Sequence, residues 1–169
     1  MPPELLFDLQ QIDFANVLAD KAGIEKVIPQ RFEMMHLTAI VHLDPAQHII
    51  VGYKDVTPEE FWVRGHFPGY PIMPGVIMCE AAAQIMCYYT FKQQLTKEAI
   101  MVFSGMDDVR FRGQVKVGDR LVMVCKAQKI HPRQITSLVQ GFVAGIMVFN
   151  GLFMGTPFSP PKEEGSAQS

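Results

Sequence analysis

The hydrophobic positions change their period along the chain, and these changes predict the order of the secondary-structure elements. Residues 4–22 carry apolar side chains at helical spacing, which indicates one or two short amphipathic helices. Residues 32–43 and 47–56 are rich in apolar and β-branched residues, with an aspartate–proline turn between them, and they predict a β-hairpin. Residues 76–91 are apolar on almost every side, which is typical of a helix that is buried all round.

Three further strand-like segments follow this helix, at residues 100–111, 120–130 and 134–150. The order of elements predicts an α+β domain, in which an antiparallel sheet of several strands curves around one central helix. The last residues are rich in proline, glycine, serine and charge, which is typical of a disordered tail. We therefore divide the 169 residues into an N-terminal helical extension at 1–22, one domain at 23–155 and a tail at 156–169.

The charge pattern argues against two classes of partner. Lysine and arginine total 15 and aspartate and glutamate total 17, with both signs mixed along the chain and a formal net charge of −2. Because there is no basic arm or block, we expect no nucleic-acid partner. The longest apolar run, residues 76–89, is short for a bilayer and contains a glutamate and a glutamine, so we expect no membrane span.

The cysteines and the N-terminus predict a cytoplasmic location. Cys79 and Cys87 are too far apart on a helix to form a disulfide, and Cys125 has no partner at metal-ligand spacing. Such a set is typical of reduced thiols in the cytosol. The N-terminus is acidic and lacks the basic start and long apolar stretch of a signal peptide.

The apolar helix carries the first candidate for chemistry. Glu80 and Gln84 are its two polar residues before Thr90, and because they are four residues apart they share one face. A carboxyl group buried in such a helix is expected to stay protonated and able to donate, which suits a general acid. Alternatively, Glu80 only accepts hydrogen bonds from Gln84, from a backbone amide or from a neighbouring chain.

The loop before the helix carries the second candidate. In "HFPGYPIMPG" three prolines restrict the backbone, so the loop can hold His66 in one place at little entropic cost. Gly75 permits a close approach at the start of the helix, where unpaired N–H groups suit a carbonyl oxygen that gains negative charge. The alternatives are an ordinary loop histidine and a glycine that only allows a tight start of the helix.

These residues also carry a family resemblance. The run "GHFPGYPIMPGVIMCEAAAQ" resembles the signature of the β-hydroxyacyl-acyl carrier protein dehydratases of fatty acid synthesis, the FabZ type of the hotdog-fold superfamily. The segments "GIEKVIPQRFEMMHLTAIVHLD", "DDVRFRGQVKVGDRLVMVCKA" and "VQGFVAGIMVFNG" resemble the first helix and strand, the third and fourth strands and the last strand of that family. The resemblance covers residues 23–155 and implies a hotdog fold, an antiparallel sheet wrapped around a long central helix.

The resemblance implies a reaction and a role for each matched residue. The reaction is the elimination of water from a (3R)-3-hydroxyacyl-acyl carrier protein, which gives the trans-2-enoyl thioester without a metal or a redox cofactor. His66 and Glu80 would be the catalytic pair, and the substrate-binding residues would be Phe67, Gly75, Val76 and Gln84. A glutamate at position 80 is typical of the FabZ branch rather than the FabA branch, which also isomerises the double bond.

The resemblance implies partners as well. The substrate would arrive on the phosphopantetheine arm of an acyl carrier protein. A candidate docking patch is formed by four basic residues that are close in sequence, Arg110, Arg112, Lys116 and Arg120; alternatively, some of them only keep the strand edges solvated. The family's homodimers place His66 of one subunit against Glu80 of the partner subunit, and many members form trimers of dimers. A hotdog acyl thioesterase and a non-catalytic acyl-binding or scaffold subunit remain as alternatives.

This chain departs from the family's usual pattern at four positions. Before the first strand the family usually has histidine, tyrosine and proline where this chain has Gln30, Phe32 and Glu33. In the histidine loop, Tyr70 stands where smaller or polar residues are common. These positions bear on the acyl chain length and on the packing of subunits rather than on the catalytic pair.

Overall fold

The computed structural model describes residues 3–161, which form one sheet around one long helix. The strands are β1 (Ala19–Asp20), β2 (Ala39–Asp44), β3 (Ile49–Asp55), β4 (Ile100–Phe111), β5 (Arg120–His131), β6 (Gln134–Val143) and β7 (Ile146–Phe158). The helices are α1 (Lys21–Glu25) and α2 (Gly75–Lys92), with single 3₁₀ turns at Leu9–Gln11 and Phe32–Met34.

The sheet has seven strands in the order β1-β2-β3-β5-β6-β7-β4, and all neighbours are antiparallel. Helix α2 packs against β3, β4, β5, β6 and β7. Its buried face includes Ala81, Ala82, Ile85 and Tyr89, as the apolar run predicts. The structure confirms the α+β hotdog fold, with the helix inside the curve of the sheet.

The outer face of the sheet is covered by the N-terminal segment. Leu6, Phe7 and other apolar residues of this segment pack on a second apolar cluster that includes Val51 and Phe142. Gln140 holds the segment in place, since its side chain accepts a hydrogen bond from the amide of Leu6 (3.0 Å) and donates one to the carbonyl of Glu4 (2.7 Å). Residues 3–18 therefore act as a strap across the sheet.

The structure of this strap differs from the helices that its sequence pattern predicts. It contains one 3₁₀ turn at Leu9–Gln11, and the regular helix α1 begins only at Lys21, where Asp20 caps the amide of Gly23 (2.8 Å). The apolar side chains of the strap are used against the sheet, and its backbone is held by Gln140 in place of helical hydrogen bonds. Tertiary packing has overridden a weak helical preference.

The long strand predicted at residues 134–150 is wrong, because the structure has two strands joined by a tight turn. Ala144 (φ 48°) and Gly145 (φ 77°) both adopt the left-handed conformation that two-residue hairpins need. The second strand, β7, continues to Phe158, so the first residues of the predicted tail are paired with β4. Residues 162–169 of that tail lie outside the described residues.

Candidate active site

The loop that carries His66 is held by backbone hydrogen bonds. The amide of His66 donates to the carbonyl of Trp62 (2.8 Å), and the amide of Ile72 donates back to the carbonyl of His66 (2.9 Å). Further along, the amide of Met73 donates to the carbonyl of Val115 (2.8 Å), which ties the loop to the segment before β5. The prolines restrict the loop and these bonds position it, so the imidazole has a defined place.

The ring of His66 is oriented by one hydrogen bond and one stacking contact. Its Nδ1 lies 2.8 Å from the carbonyl oxygen of Ile72. Because a carbonyl oxygen only accepts, Nδ1 carries the proton, and the Nε2 of a neutral ring is then left with a free lone pair. Phe67 stacks on the imidazole with 4.3 Å between ring centroids and is itself 53% exposed. The arrangement presents Nε2 as a base.

The start of α2 supplies unpaired amide donors next to this histidine. The amides of Ile77 and Met78 donate to the carbonyl of Pro74, at 2.9 and 3.2 Å. Within residues 3–161 the amides of Gly75 and Val76 have no hydrogen-bond partner. Both residues line a cleft of about 400 Å³ together with His66. Free donors at the positive end of a helix suit an oxygen that becomes negative during a reaction.

The ring of Phe111 lies against the first turn of the helix at Gly75, where a side chain would collide with it. A Cβ atom at Gly75 would be 2.6 Å from the Cζ of that ring, closer than any real contact. Phe111 ends strand β4 and lines the same cleft. The absence of a side chain at Gly75 therefore lets this ring pack against the first turn of the helix, and this was not predicted from the sequence.

Glu80 lies one and a half turns further along α2 and is held by Gln84. The amide nitrogen of Gln84 donates to the Oε1 of Glu80 (2.8 Å) and to the carbonyl of Met34 (2.6 Å). The amide oxygen of Gln84 accepts from the backbone N–H of His36 (3.0 Å), and the glutamine is fully buried. Since Oε1 of Glu80 accepts this bond, a proton on the carboxyl group would sit on Oε2.

Glu80 is half-buried rather than enclosed, because it lines a second cavity of about 230 Å³. Ala83, Cys87 and Thr90 continue the same face of the helix along this cavity, and residues of β4, β6 and β7 form its other walls. Burial and the nearby Glu80 carboxylate raise the pKa of the Cys87 thiol to about 12, although hydrogen bonds from the Met101 backbone and the Gln30 side chain act in the opposite direction. The cavity is a narrow, mostly apolar space with the carboxyl group on its wall.

The predicted site residues thus form two groups within one chain. The first group lies around the cleft at the helix start, where His66 meets Gly75 and Val76, with Phe67 stacked on the imidazole. The second group is Glu80 with Gln84. His66 and Glu80 line different cavities of the same chain.

Two residues of these cavities were missed as site residues by the sequence analysis. Phe111 lines the cleft of His66, and Gln30 lines the cavity of Glu80. Gln30 was noticed only as a departure from the family pattern, and Phe111 only as the end of a strand. Their contacts come from segments that are distant along the chain, so no local signal could place them.

The part of the chain that the structure covers, residues 3–161, contains no group of three or more His, Cys, Asp or Glu side chains placed to bind a metal ion. None of its helices combines the length and the apolar character needed to cross a membrane.

Comparisons with known proteins decide the family. The model of the FabA-like domain matches residues 28–152. The chain belongs to the FabA-like family. Among curated proteins of this family, the chain is 37% identical over 113 residues to a 3-hydroxyacyl-acyl-carrier-protein dehydratase FabZ of Polynucleobacter necessarius, which covers 67% of this chain and 75% of the relative. It is 34% identical over 139 residues to the FabZ protein of Desulfotalea psychrophila, covering 81% and 92% of the two chains. The resemblance to the FabZ type is confirmed.

Solved structures agree on the fold of this FabA-like chain. The dehydratase heterocomplex ApeI:P from Xenorhabdus doucetiae matches with a TM-score of 0.66 and 14% identity, covering 82% of this chain and 91% of the other. Cj0977, a sigma28-regulated virulence protein from Campylobacter jejuni, matches with a TM-score of 0.63 and 15% identity, covering 89% and 96%. At these identities the likeness concerns the fold alone.

Proposed function

We propose that this chain is a 3-hydroxyacyl-acyl carrier protein dehydratase of fatty acid biosynthesis, a hydro-lyase. The observation that carries the proposal is the cleft that is lined both by His66, whose Nδ1 is bonded to Ile72 so that Nε2 is left free, and by Gly75 and Val76, whose amides are free. The names of the FabZ relatives favour the same reaction over a thioesterase or a non-catalytic subunit. The reaction needs a base, an acid and donors for one oxygen, and the chain has a candidate for each.

In this proposal His66 begins the elimination. Its Nε2 takes the proton from the carbon next to the thioester carbonyl, while the amides of Gly75 and Val76 bind the carbonyl oxygen as negative charge develops there. The electron pair left on carbon forms the new double bond, and the carbon–oxygen bond at the next carbon breaks. The carboxyl group of Glu80 gives its proton to the leaving hydroxyl, which departs as water. Exchange of one proton with solvent then restores both side chains.

The two halves of this site would come from two subunits. Within residues 3–161, β4 pairs with β7 alone and forms an edge of the sheet, although it is twelve residues long. Val102, Phe103, Met106 and Phe111 are all exposed on it. An exposed apolar edge strand is a template for pairing with a second chain. We therefore propose a homodimer across β4, in which His66 of one subunit faces Glu80 of the partner subunit.

Two further features of the proposal are the carrier and the location. Arg120 is bound to Asp55 (2.6 Å) and lies over the ring of Tyr53 (4.0 Å), so its charge is engaged at β3. Lys116 lies over the ring of Tyr70, 5.0 Å from its centroid, beside the loop of His66. We propose that Lys116, with Arg112, forms the docking patch for an acidic acyl carrier protein.

The free, buried cysteines agree with a cytoplasmic location.

The experiment that tests the proposed function is hydration of a crotonyl thioester, followed at the absorbance of the double bond. We expect the His66→Ala and Glu80→Gln variants to lose about 10²- to 10⁴-fold in rate, as is typical when an acid or base is removed. Release of free thiol is measured in parallel and should stay at the background level. Equal hydration rates in the three proteins would refute the assignment, and thiol release by the wild type would favour a thioesterase. Analytical ultracentrifugation distinguishes a dimer from a trimer of dimers.

A further inference from the structure

The cavity beside Glu80 contains polar atoms that the proposed reaction does not use. The Oε1 of Gln30 and the Oγ of Ser137 are buried, and neither has a hydrogen-bond partner in residues 3–161. Both residues line the cavity, and Ser137 is only 2% exposed. The hydroxyl of Thr90, which also lines it, is already bonded to the carbonyl of Met86 (2.8 Å). Besides the carboxyl group of Glu80, two unpaired polar groups therefore remain on a mostly apolar wall.

The strand register places Ser137 beyond Glu80, towards the end of helix α2. Ser137 is paired with Ala127, whose amide is bonded to the carbonyl of His48, and the imidazole of His48 is bonded to the hydroxyl of Tyr89 (2.7 Å). Tyr89 lies nine residues beyond Glu80, which is about 13 Å along the helix.

The helix gives a similar position for Gln30. Cys87 lies seven residues beyond Glu80, which is about 10 Å along the helix. Gln30 and Cys87 line the same cavity, and the side chain of Gln30 lowers the pKa of the Cys87 thiol, which burial raises to about 12. Gln30 and Ser137 thus belong to the part of the cavity that the end of an acyl chain would reach.

The physical consequence depends on the length of the acyl chain. A short chain would leave room for water, which can hydrogen-bond to both polar groups. A saturated chain that reaches them would displace this water without replacing its hydrogen bonds, and a buried polar group left unpaired weakens binding. Chain length would therefore be sensed by two polar atoms as well as by the volume of the cavity.

We propose that Gln30 and Ser137 set the upper limit of acyl chain length for this enzyme, which makes its substrates the shorter 3-hydroxyacyl thioesters. This inference rests on the proposed function, because it takes the cavity beside Glu80 as the place of the acyl chain.

The test is a length series of 3-hydroxyacyl pantetheine thioesters, from butyryl to palmitoyl, with kcat/KM measured for the wild type, Ser137→Ala and Gln30→Leu. We expect the ratio of long-chain to short-chain kcat/KM to rise about tenfold in each variant, the effect of one unpaired buried polar group. Thr136→Ala is the matched control. Thr136 precedes Ser137 on β6, so its hydroxyl lies on the opposite face of the sheet and outside the cavity, and the ratio should keep its wild-type value.

A second measurement separates this inference from the proposed function. Saturated acyl pantetheine thioesters cannot be dehydrated, so the rise in Tm that they cause reports binding alone. An active wild type whose length profile is unchanged in both variants would overturn the inference and leave the function standing. A wild type that dehydrates no substrate would overturn the function. In that case, the rise in Tm caused by long acyl chains still tests the cavity assignment. A larger rise in the variants than in the wild type would support the assignment, and an equal rise would overturn it.

Discussion

The cleft that contains His66 and the cavity that contains Glu80 differ in their openness and in the way their polar groups are held. The cleft is open, and its groups are fixed by hydrogen bonds to backbone carbonyls. The imidazole donates to the carbonyl of Ile72, and the first helical turn donates to the carbonyl of Pro74. The cavity is narrower and mostly apolar, and its carboxyl group is fixed by the buried side chain of Gln84. In the proposed reaction the base needs a defined tautomer, which the carbonyl of Ile72 sets, and the acid needs a fixed position, which Gln84 sets.

The comparison also shows why proximity in sequence is a poor guide to proximity in space. Only fourteen positions separate His66 from Glu80 in the sequence, yet a rigid loop and one and a half turns of helix lie between them. The loop presents His66 beside the helix start, while Glu80 faces inward along the helix. Within one chain the two groups therefore face different spaces.

The largest expected effect concerns this division. If each site takes one half from each subunit, His66→Ala and Glu80→Gln should both be nearly inactive alone, and mixing them after subunit exchange should restore about a quarter of the wild-type rate. Half of randomly exchanged dimers are mixed, and each has one complete site. Crotonyl thioester hydration measures the result, with each variant exchanged against itself as the control. A mixture that stays inactive although mixed dimers are detected would show that the two groups act within one chain.

The second test concerns the helix start. Gly75→Ala would place a methyl group against the ring of Phe111 at 2.6 Å and shift the free amides, so we expect a loss of about tenfold or more in rate and about 1–3 kcal/mol in the free energy of unfolding. Gly65→Ala is the control, because a Cβ there would meet no atom within 4 Å. Adding Phe111→Ala should recover stability in the Gly75 variant. A Gly75→Ala protein with normal rate and Tm would remove this residue from the site.

The third test concerns the support behind Glu80. His36 is buried, its amide is held by Gln84, and burial together with Lys54 lowers its pKa from 6.5 to about 4, although Glu60 raises it. The unfolded chain takes up the proton near pH 6.5 and the folded chain only near pH 4, so stability falls as the pH drops through this window. The shift corresponds to about 3 kcal/mol. The free energy of unfolding is measured with denaturant at pH 7 and pH 4 for the wild type and His36→Leu. It should change less with pH in the variant, and an equal change in both proteins would contradict the prediction.

The smallest expected effect concerns Lys116, which lies over the ring of Tyr70 beside the loop of His66. Lys116→Glu should raise the KM for substrates on the acyl carrier protein a few-fold, because a rim charge contributes modestly, while the KM for a pantetheine thioester should stay unchanged. Arg120→Glu is the control for the same change of charge, because Arg120 is already bound to Asp55. It should lower the free energy of unfolding through the loss of that bond. A KM for the carrier that is insensitive to Lys116→Glu would place the docking surface elsewhere.

Elements whose apolar residues repeat with a clear period were predicted well, and elements whose structure depends on tertiary contacts were not. The buried helix was predicted at 76–91 and spans Gly75–Lys92, and the strand predicted at 100–111 is β4. The hairpin at Ala144 and Gly145 was missed because its two-residue turn lies inside a continuous apolar run. The N-terminal strap was misjudged because its apolar spacing suits a helix, although its partner is the outer face of the sheet.

The sequence by itself determined the helix with its single carboxyl group, the restricted histidine loop before it and the family to which both belong. These are local features, because a proline, an apolar period or a motif spacing can be recognised from a few neighbouring residues of the sequence. Only the tertiary structure decided that Phe111 packs on Gly75, that Gln84 anchors Glu80 to the segment of Met34 and His36, and that His66 and Glu80 face different spaces. Each of these contacts joins segments that are distant in the chain, and the folding of the sheet around the helix is what brings them together.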